Sequence, residues 1–354
     1  MAVGGSLRSG SRASARSLRG CLVWGAIGDA LGRTAEGRSP ARLQSQFGPS
    51  GLRDYVAWHA WRPGEPRGTF TDDTQLTIAT AESLLASGGE LDPQSLADAF
   101  LGIDHIRGIG RATAHALEAL RRGAPWWETG QKENSAGNGA AMRAAPVGLV
   151  HAFKPAPVDL VRDAVLSAVP THPHPVGVAG AVALAAGAAW CIRARLSGAI
   201  RLDVERFVEF VSTCIERMEP EPTPERKPGG RAVRLVERLR ELPDLLSWPS
   251  TADVFGYTHN GAFALESVPA ALYTFLHSPD DPEQVILTAV NAGYDADTVA
   301  SMAGNLVGAW CGTASLQRTQ SWWIELEDRQ RLLALADRLL ETALVDSTHV
   351  DLNL

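Results

Sequence analysis

Two segments, GVAGAVALAAGAAWCI (177–192) and VASMAGNLVGAW (299–310), consist almost wholly of Ala, Gly and other apolar residues. Small residues on a helix face let neighbouring axes approach closely, so both read as helices buried at the centre of a bundle. Around them apolar residues recur at helical spacing over about 73–87, 93–104, 111–121, 139–150, 158–168, 203–217, 231–241, 261–276, 282–292 and 327–343, and sustained alternation of period 2 is rare. The spacing predicts an all-α fold. Punctuation agrees: Asp92-Pro93 and Asp281-Pro282 open helices and Gly88-Gly89 closes one.

With 354 residues, 45% hydrophobic and 21% charged, the chain can bury one large core, and a single domain is expected over 20–345. Residues 1–19 are expected to be a disordered extension and 346–354 a loosely attached tail. The start is rich in Arg and Ser and lacks acids, as transit peptides do, yet arginine outnumbers lysine along the whole chain. MEPEPTPERKPGG (218–230) reads as an inserted loop. The 16-residue apolar stretch 177–192 falls short of the ~20 residues a membrane span needs, so no membrane partner is expected. A net charge of −7 supplies no overall basic field, and stable nucleic-acid binding is not expected. Cys21, Cys191, Cys214 and Cys311 are scattered with no C-x-x-C pair, which suggests reduced thiols and a cytoplasmic location.

Chemistry is concentrated at two helix starts. In FTDDTQLT (70–77), Asp72 with Gln75 three residues on fits a capping box, and Asp73 is then surplus. GYDADTVASM (293–302) repeats the pattern with Asp295, Asp297 and Thr298. If the two starts face each other, four carboxylates meet, and each pair ~4 Å apart repels by about 4 kcal/mol at an effective dielectric of ~20. Such a cluster protonates or binds cations, and all-oxygen ligands suit Mg²⁺ or Mn²⁺ rather than zinc. The residues alone leave both readings open and favour two separately capped helices over a metal site.

These two motifs, with GAIGDALGRTAEG (25–37), NSAGNGAAMRAAPVGL (134–149) and THPHPVGVAGA (171–181), resemble in order and content the ADP-ribosylglycohydrolase family. The resemblance spans about residues 20 to 312. It implies a compact all-α helical bundle around a central dinuclear site for two Mg²⁺ (or Mn²⁺) ions, which cleaves the glycosidic bond at the anomeric carbon of ADP-ribose. Thr71, Asp72, Asp73, Asp295, Asp297 and Thr298 would be metal ligands, with Asp73 and Asp297 essential to catalysis. Glu36 would be the acidic flap residue, acting as general base or positioner, and Asp29 structural. Ser135, Gly137 and Asn138 would form a phosphate loop leading into a helix, Gly108 and Gly110 a second, and His172 would sit at the ligand pocket.

The implied partners are an ADP-ribosylated protein or ADP-ribose conjugate, with ADP-ribose as product. The family commonly has Gly-Gly-Asp-Thr-Asp-Thr where this chain has Gly293-Tyr294-Asp295-Ala296-Asp297-Thr298, so a phenol borders the motif and the leaving group is left open. Two other roles are compatible with the fold: a non-catalytic ADP-ribose-binding or crystallin-like protein, and a dinuclear phosphoesterase.

Overall fold

The computed structural model describes residues 3–56, 65–154, 157–226 and 230–348. Among them are seventeen α-helices, one 3-10 helix and a single two-stranded ribbon, so the fold is all-α as expected. The 33-residue helix Val3–Ala35 lies antiparallel to Ala296–Cys311. Glycines set their spacing: a Cβ on Gly32 would strike Asp297, on Gly28 Ala300, on Gly25 Asn305 and on Gly20 Gly308. This close seam fixes the end of the first helix against the start of Ala296–Cys311.

Pro175–Leu196 has sixteen buried residues. At 22 residues it is long and apolar enough to cross a membrane by composition alone, which corrects the length argument from the sequence. It is instead walled in by the bundle, with 89% of its apolar window buried. Trp190 stacks on Trp310 at 6.4 Å and meets Phe207 edge-on at 5.3 Å, joining this helix to Ala296–Cys311 and Val204–Ile215.

Several local expectations are corrected. The segment 1–19, expected as a disordered extension, is helical from Val3, with Ser14, Ser17 and Leu18 buried. Arg19 also forms a two-pronged ion pair with Asp337, at 2.7 and 2.6 Å. Packing against the small-residue seam and Arg329–Thr348 overrides the polar composition. Residues 346–348 complete that last helix, and 349–354 lie outside the described residues.

The helix expected over 139–150 is confined to Ala145–His151, because Pro146 lacks the N–H needed deeper in a helix. In place of a helix from 231, Ala232–Val233 pairs with Thr223–Pro224. Pro40–Phe47 and Thr251–Thr258 are helices the periodicity did not reveal, because one buried residue (Leu43) and two (Val254, Thr258) are too few to make a stripe; each is opened by a serine cap, Ser39 and Ser250.

Candidate active site

Asp29 organises the first acidic helix start. Fully buried, it accepts hydrogen bonds from the Thr71 N–H at 2.9 Å, Thr71 Oγ1 at 2.7 Å, the Thr74 N–H at 3.0 Å and Thr74 Oγ1 at 2.6 Å. It therefore supplies from another helix the acceptor that the start of Asp72–Ala86 needs. The expected capping box is absent: Thr71 occupies the N-cap, and Gln75 turns outward to bond His105 O at 2.8 Å and the Arg107 N–H at 2.9 Å. Neither Asp72 nor Asp73 is consumed by capping.

Asp72 accepts the Gly110 N–H, and its own N–H donates to Arg107 O at 2.8 Å. Burial, then the charge of Asp29, raises its carboxyl to about 7. Asp73 is 1% exposed; its Oδ2 lies 3.2 Å from Thr71 Oγ1 and 3.5 Å from Thr298 Oγ1. Thr71 has one hydroxyl proton, and the shorter contact to Asp29 claims it. Asp73 Oδ1 has no hydrogen-bond partner among the described residues. Burial first, then Asp29 and Asp297, raises the Asp73 carboxyl well above the usual range.

The second start faces the first, as the Asp73–Thr298 contact shows. Asp295 is held by Asn138 Nδ2 at 2.5 Å, and its N–H donates to Asn260 O at 2.9 Å. Burial raises Asp295 to about 6 against the bonds from Asn138 and Thr298. Asp297 accepts the Thr298 N–H at 3.0 Å and is raised well above normal by burial, then by Glu36 and Asp295.

Glu36 follows the first helix at the exposed mouth, where surrounding protein, then Asp295 and Asp29, raises its carboxyl against Arg33. Its loop is clasped to the second motif: the Gly37 N–H donates to Tyr294 O at 2.7 Å and the Tyr294 N–H to Arg38 O at 2.8 Å. Gly293 has φ +70°, and a side chain there would collide with Arg38 O. Tyr294 itself sits at φ +56° with its ring half exposed, walling a groove of about 700 Å³ that Asn260, Glu266, Phe255 and Pro40 also line.

The loop residues are placed as follows. Gly137 pairs with Phe263 in an isolated bridge, and Ser135 Oγ accepts the His174 N–H at 3.1 Å. His172 is buried against Gly137 and Gly139, with Nδ1 2.8 Å from Thr171 Oγ1. Burial and then Arg143 lower its pKa to about 3, so the imidazole is neutral. Gly108, at φ +75°, and Gly110 border Asp72.

Two expectations change. The Asn138 amide is turned to Asp295 and, at 3.0 Å, to Ser267 Oγ, so it braces the acidic cluster instead of presenting a phosphate donor. The loop leads into turns over 139–144, so no helix N-terminus stands directly behind it. Sequence reasoning missed Asn260, which binds Gly293 O and the Asp295 N–H, since a lone Asn-Gly reads as a turn.

The donor set fits hard divalent cations: buried carboxylates and threonine hydroxyls, with Asp73 Oδ1 left unbonded. Among the described residues the acids are neighbours and not a closed cage, since no three His, Cys, Asp or Glu side chains already stand together in ligand geometry.

A family model described as ADP-ribosylglycohydrolase matches residues 11–348. An uncharacterised protein of Archaeoglobus fulgidus is 32% identical over 334 residues, covering 91% of this chain and 95% of that protein. The ADP-ribosylhydrolase ARH3 of Gallus gallus is 30% identical over 364 residues, covering 94% and 95%. A solved structure titled ADP-ribosylglycohydrolase-related protein complex superposes with a TM-score of 0.68 at 28% identity, over 94% of this chain and 99% of that one. Helical architecture, the facing acidic helix starts and a match over nearly the whole length agree, and the chain belongs to the ADP-ribosylglycohydrolase family.

Proposed function

We propose that this chain hydrolyses the glycosidic bond between ADP-ribose and a modified side chain or small conjugate, with two Mg²⁺ or Mn²⁺ ions as cofactors. Family membership and the similarity to ARH3 support the glycohydrolase activity. The observation that carries the metal reading is the facing pair of acidic helix starts, in which Asp73 Oδ1 lacks a partner.

Thr71, Asp72, Asp73, Asp295, Asp297 and Thr298 would hold the cations, whose charge would offset the carboxylates and acidify water or sugar hydroxyls bound there. Asp29 keeps Thr71 and Thr74 in register, and Asn138 and Asn260 hold Asp295. Glu36 is the carboxylate left over for proton transfer. From the mouth it accepts a proton from the attacking water or stabilises positive charge developing at the anomeric carbon. Burial and the neighbouring carboxylates raise its affinity for a proton, the direction a general base needs. The Ser135–Gly137 segment and the Gly108–Gly110 turn flank the cluster, where a diphosphate would lie; neutral His172 packs beneath the former without adding charge. Protein-linked conjugates are the preferred substrates in this reading, because the groove beside Tyr294 has room for chain beyond the scissile bond.

Release of free ADP-ribose from arginine-, serine-, acetyl- and nucleobase-linked conjugates, measured with Mg²⁺, Mn²⁺ or EDTA, tests the proposal. Metal-dependent release from one conjugate supports it and names the leaving group. Release undiminished by EDTA removes the metals, and cleavage within the diphosphate makes the protein a phosphoesterase. Binding of ADP-ribose without release from any conjugate would favour a reader.

A further inference from the structure

The inserted segment carries a cation to the binding loop. Its ribbon, Thr223–Pro224 against Ala232–Val233, is anchored at its base, where the Leu235 N–H donates to Glu219 Oε2 at 2.5 Å, and along its length by an ion pair between Glu225 and the buried Arg238. Just beyond the first strand, the Arg226 guanidinium lies 4.5 Å from the centroid of the Phe263 ring. Phe263 bridges Gly137, and its neighbours extend the pairing: the Ala264 N–H donates to Ala136 O and the Asn138 N–H to Ala262 O, both at 3.0 Å. Arg226 thus rests on the direct backbone partner of the 136–138 loop. It also reaches the other flank, since burial and then the Arg226 charge lower the pKa of His174, whose N–H bonds Ser135 Oγ.

The surrounding electrostatics need such a group. The chain carries a net charge of −7, and the cluster beyond the loop is acidic. Arg143, the other arginine near the loop, is fully buried and spends both terminal nitrogens on Gly139 O, Ser167 O and Thr171 Oγ1. Arg226 is exposed and makes no ion pair among the described residues. A guanidinium stacked on an aromatic face keeps its N–H donors in its own plane, parallel to the ring and pointing outward, where they can grip phosphate oxygens.

We infer that Arg226 is a diphosphate-binding residue: poised on Phe263, its guanidinium holds the anionic bridge of a nucleoside diphosphate sugar against the Ser135–Asn138 loop. The inference rests on the substrate class proposed above.

Calorimetric binding of ADP-ribose to the Mg²⁺-loaded protein, at two salt concentrations, tests it with Arg226→Ala, Arg226→Lys and Arg226→Glu. Loss of one charged contact should weaken Kd on the order of tenfold in Arg226→Ala. Arg226→Glu should weaken it further and Arg226→Lys less. The salt dependence should be shallower in Arg226→Ala than in the wild type, with Tm unchanged in all three. Wild-type affinity in Arg226→Ala overturns the role of Arg226 alone. Equal weakening by Ala, Lys and Glu with a lowered Tm also overturns it, since that pattern belongs to a support of the ribbon. If the wild-type protein does not bind ADP-ribose, the inference falls together with the proposed function.

Discussion

Glu219→Gln should make the protein more stable at pH 8 and much less so at pH 5. Glu219 is 3% exposed; one carboxylate oxygen accepts the Leu235 N–H, and the other has no partner among the described residues. Burial outweighs that bond and the attraction of Arg234, and raises the carboxyl to about 7. In an unfolded chain a glutamate titrates near ~4.3. The folded state thus binds the proton more tightly, so this group's contribution is fully present below pH ~4 and is lost as pH rises through about 7. A gap of roughly 2.7 units corresponds to about 3.7 kcal/mol. With an unfolding entropy of ~2.1 cal/mol/K per residue, that amounts to a Tm difference of about 5 °C for a chain of this length. Glutamine retains an acceptor for the Leu235 N–H and carries no charge at either pH. The assay is calorimetric Tm of both proteins with saturating Mg²⁺ from pH 5 to 8, reading only the difference so that other titrating groups cancel. A gap between variant and wild type that stays constant across that range would refute the reasoning.

Two further outcomes follow from the site. Asp29→Asn replaces an acceptor of four hydrogen bonds with a group that can accept fewer, leaving buried donors of Thr71 and Thr74 unsatisfied, and should destabilise by on the order of 3 kcal/mol in urea denaturation; a loss below about 1 kcal/mol would show that the cap is dispensable. Tyr294→Gly should leave stability within about 1 kcal/mol of the wild type, because relief of a left-handed tyrosine is offset by glycine's unfolded-state entropy. Its kcat should persist, since backbone atoms make the bonds to Gly37 and Arg38. Tyr294→Pro removes the N–H that bonds Arg38 O and cannot adopt φ +56°, so its kcat should collapse; equal rates in the two variants would break the link between this clasp and Glu36.

What could be read in the sequence, and what could not, divides by the range of the interaction. Surplus acids at two helix starts were visible because a helix start needs one cap, and the small-residue runs that bring them together carry their packing requirement locally. The ribbon at 223–233 was not visible, since two paired residues per strand leave no period to detect. Nor was the role of Asn138, because an amide beside glycines reads as a loop donor until Asp295, 157 residues on, is beside it.

The cap itself shows the limit most clearly. A rule that searches three residues ahead finds Gln75 and assigns Asp72 to the helix, whereas the actual acceptor, Asp29, lies 42 residues upstream of Thr71. That one substitution of a distant carboxylate for a local one changes the meaning of the motif. With capping moved to Asp29, Asp73 is left to face the second helix start and Asp72 to lie beside it at the Gly108–Gly110 turn, and the repulsion this creates is balanced by protons or by bound cations. The doubled aspartate is then a consequence of where the first helix ends: the glycine seam that seats Asp29 beside Thr71 is also what sets Asp297 across from Asp73.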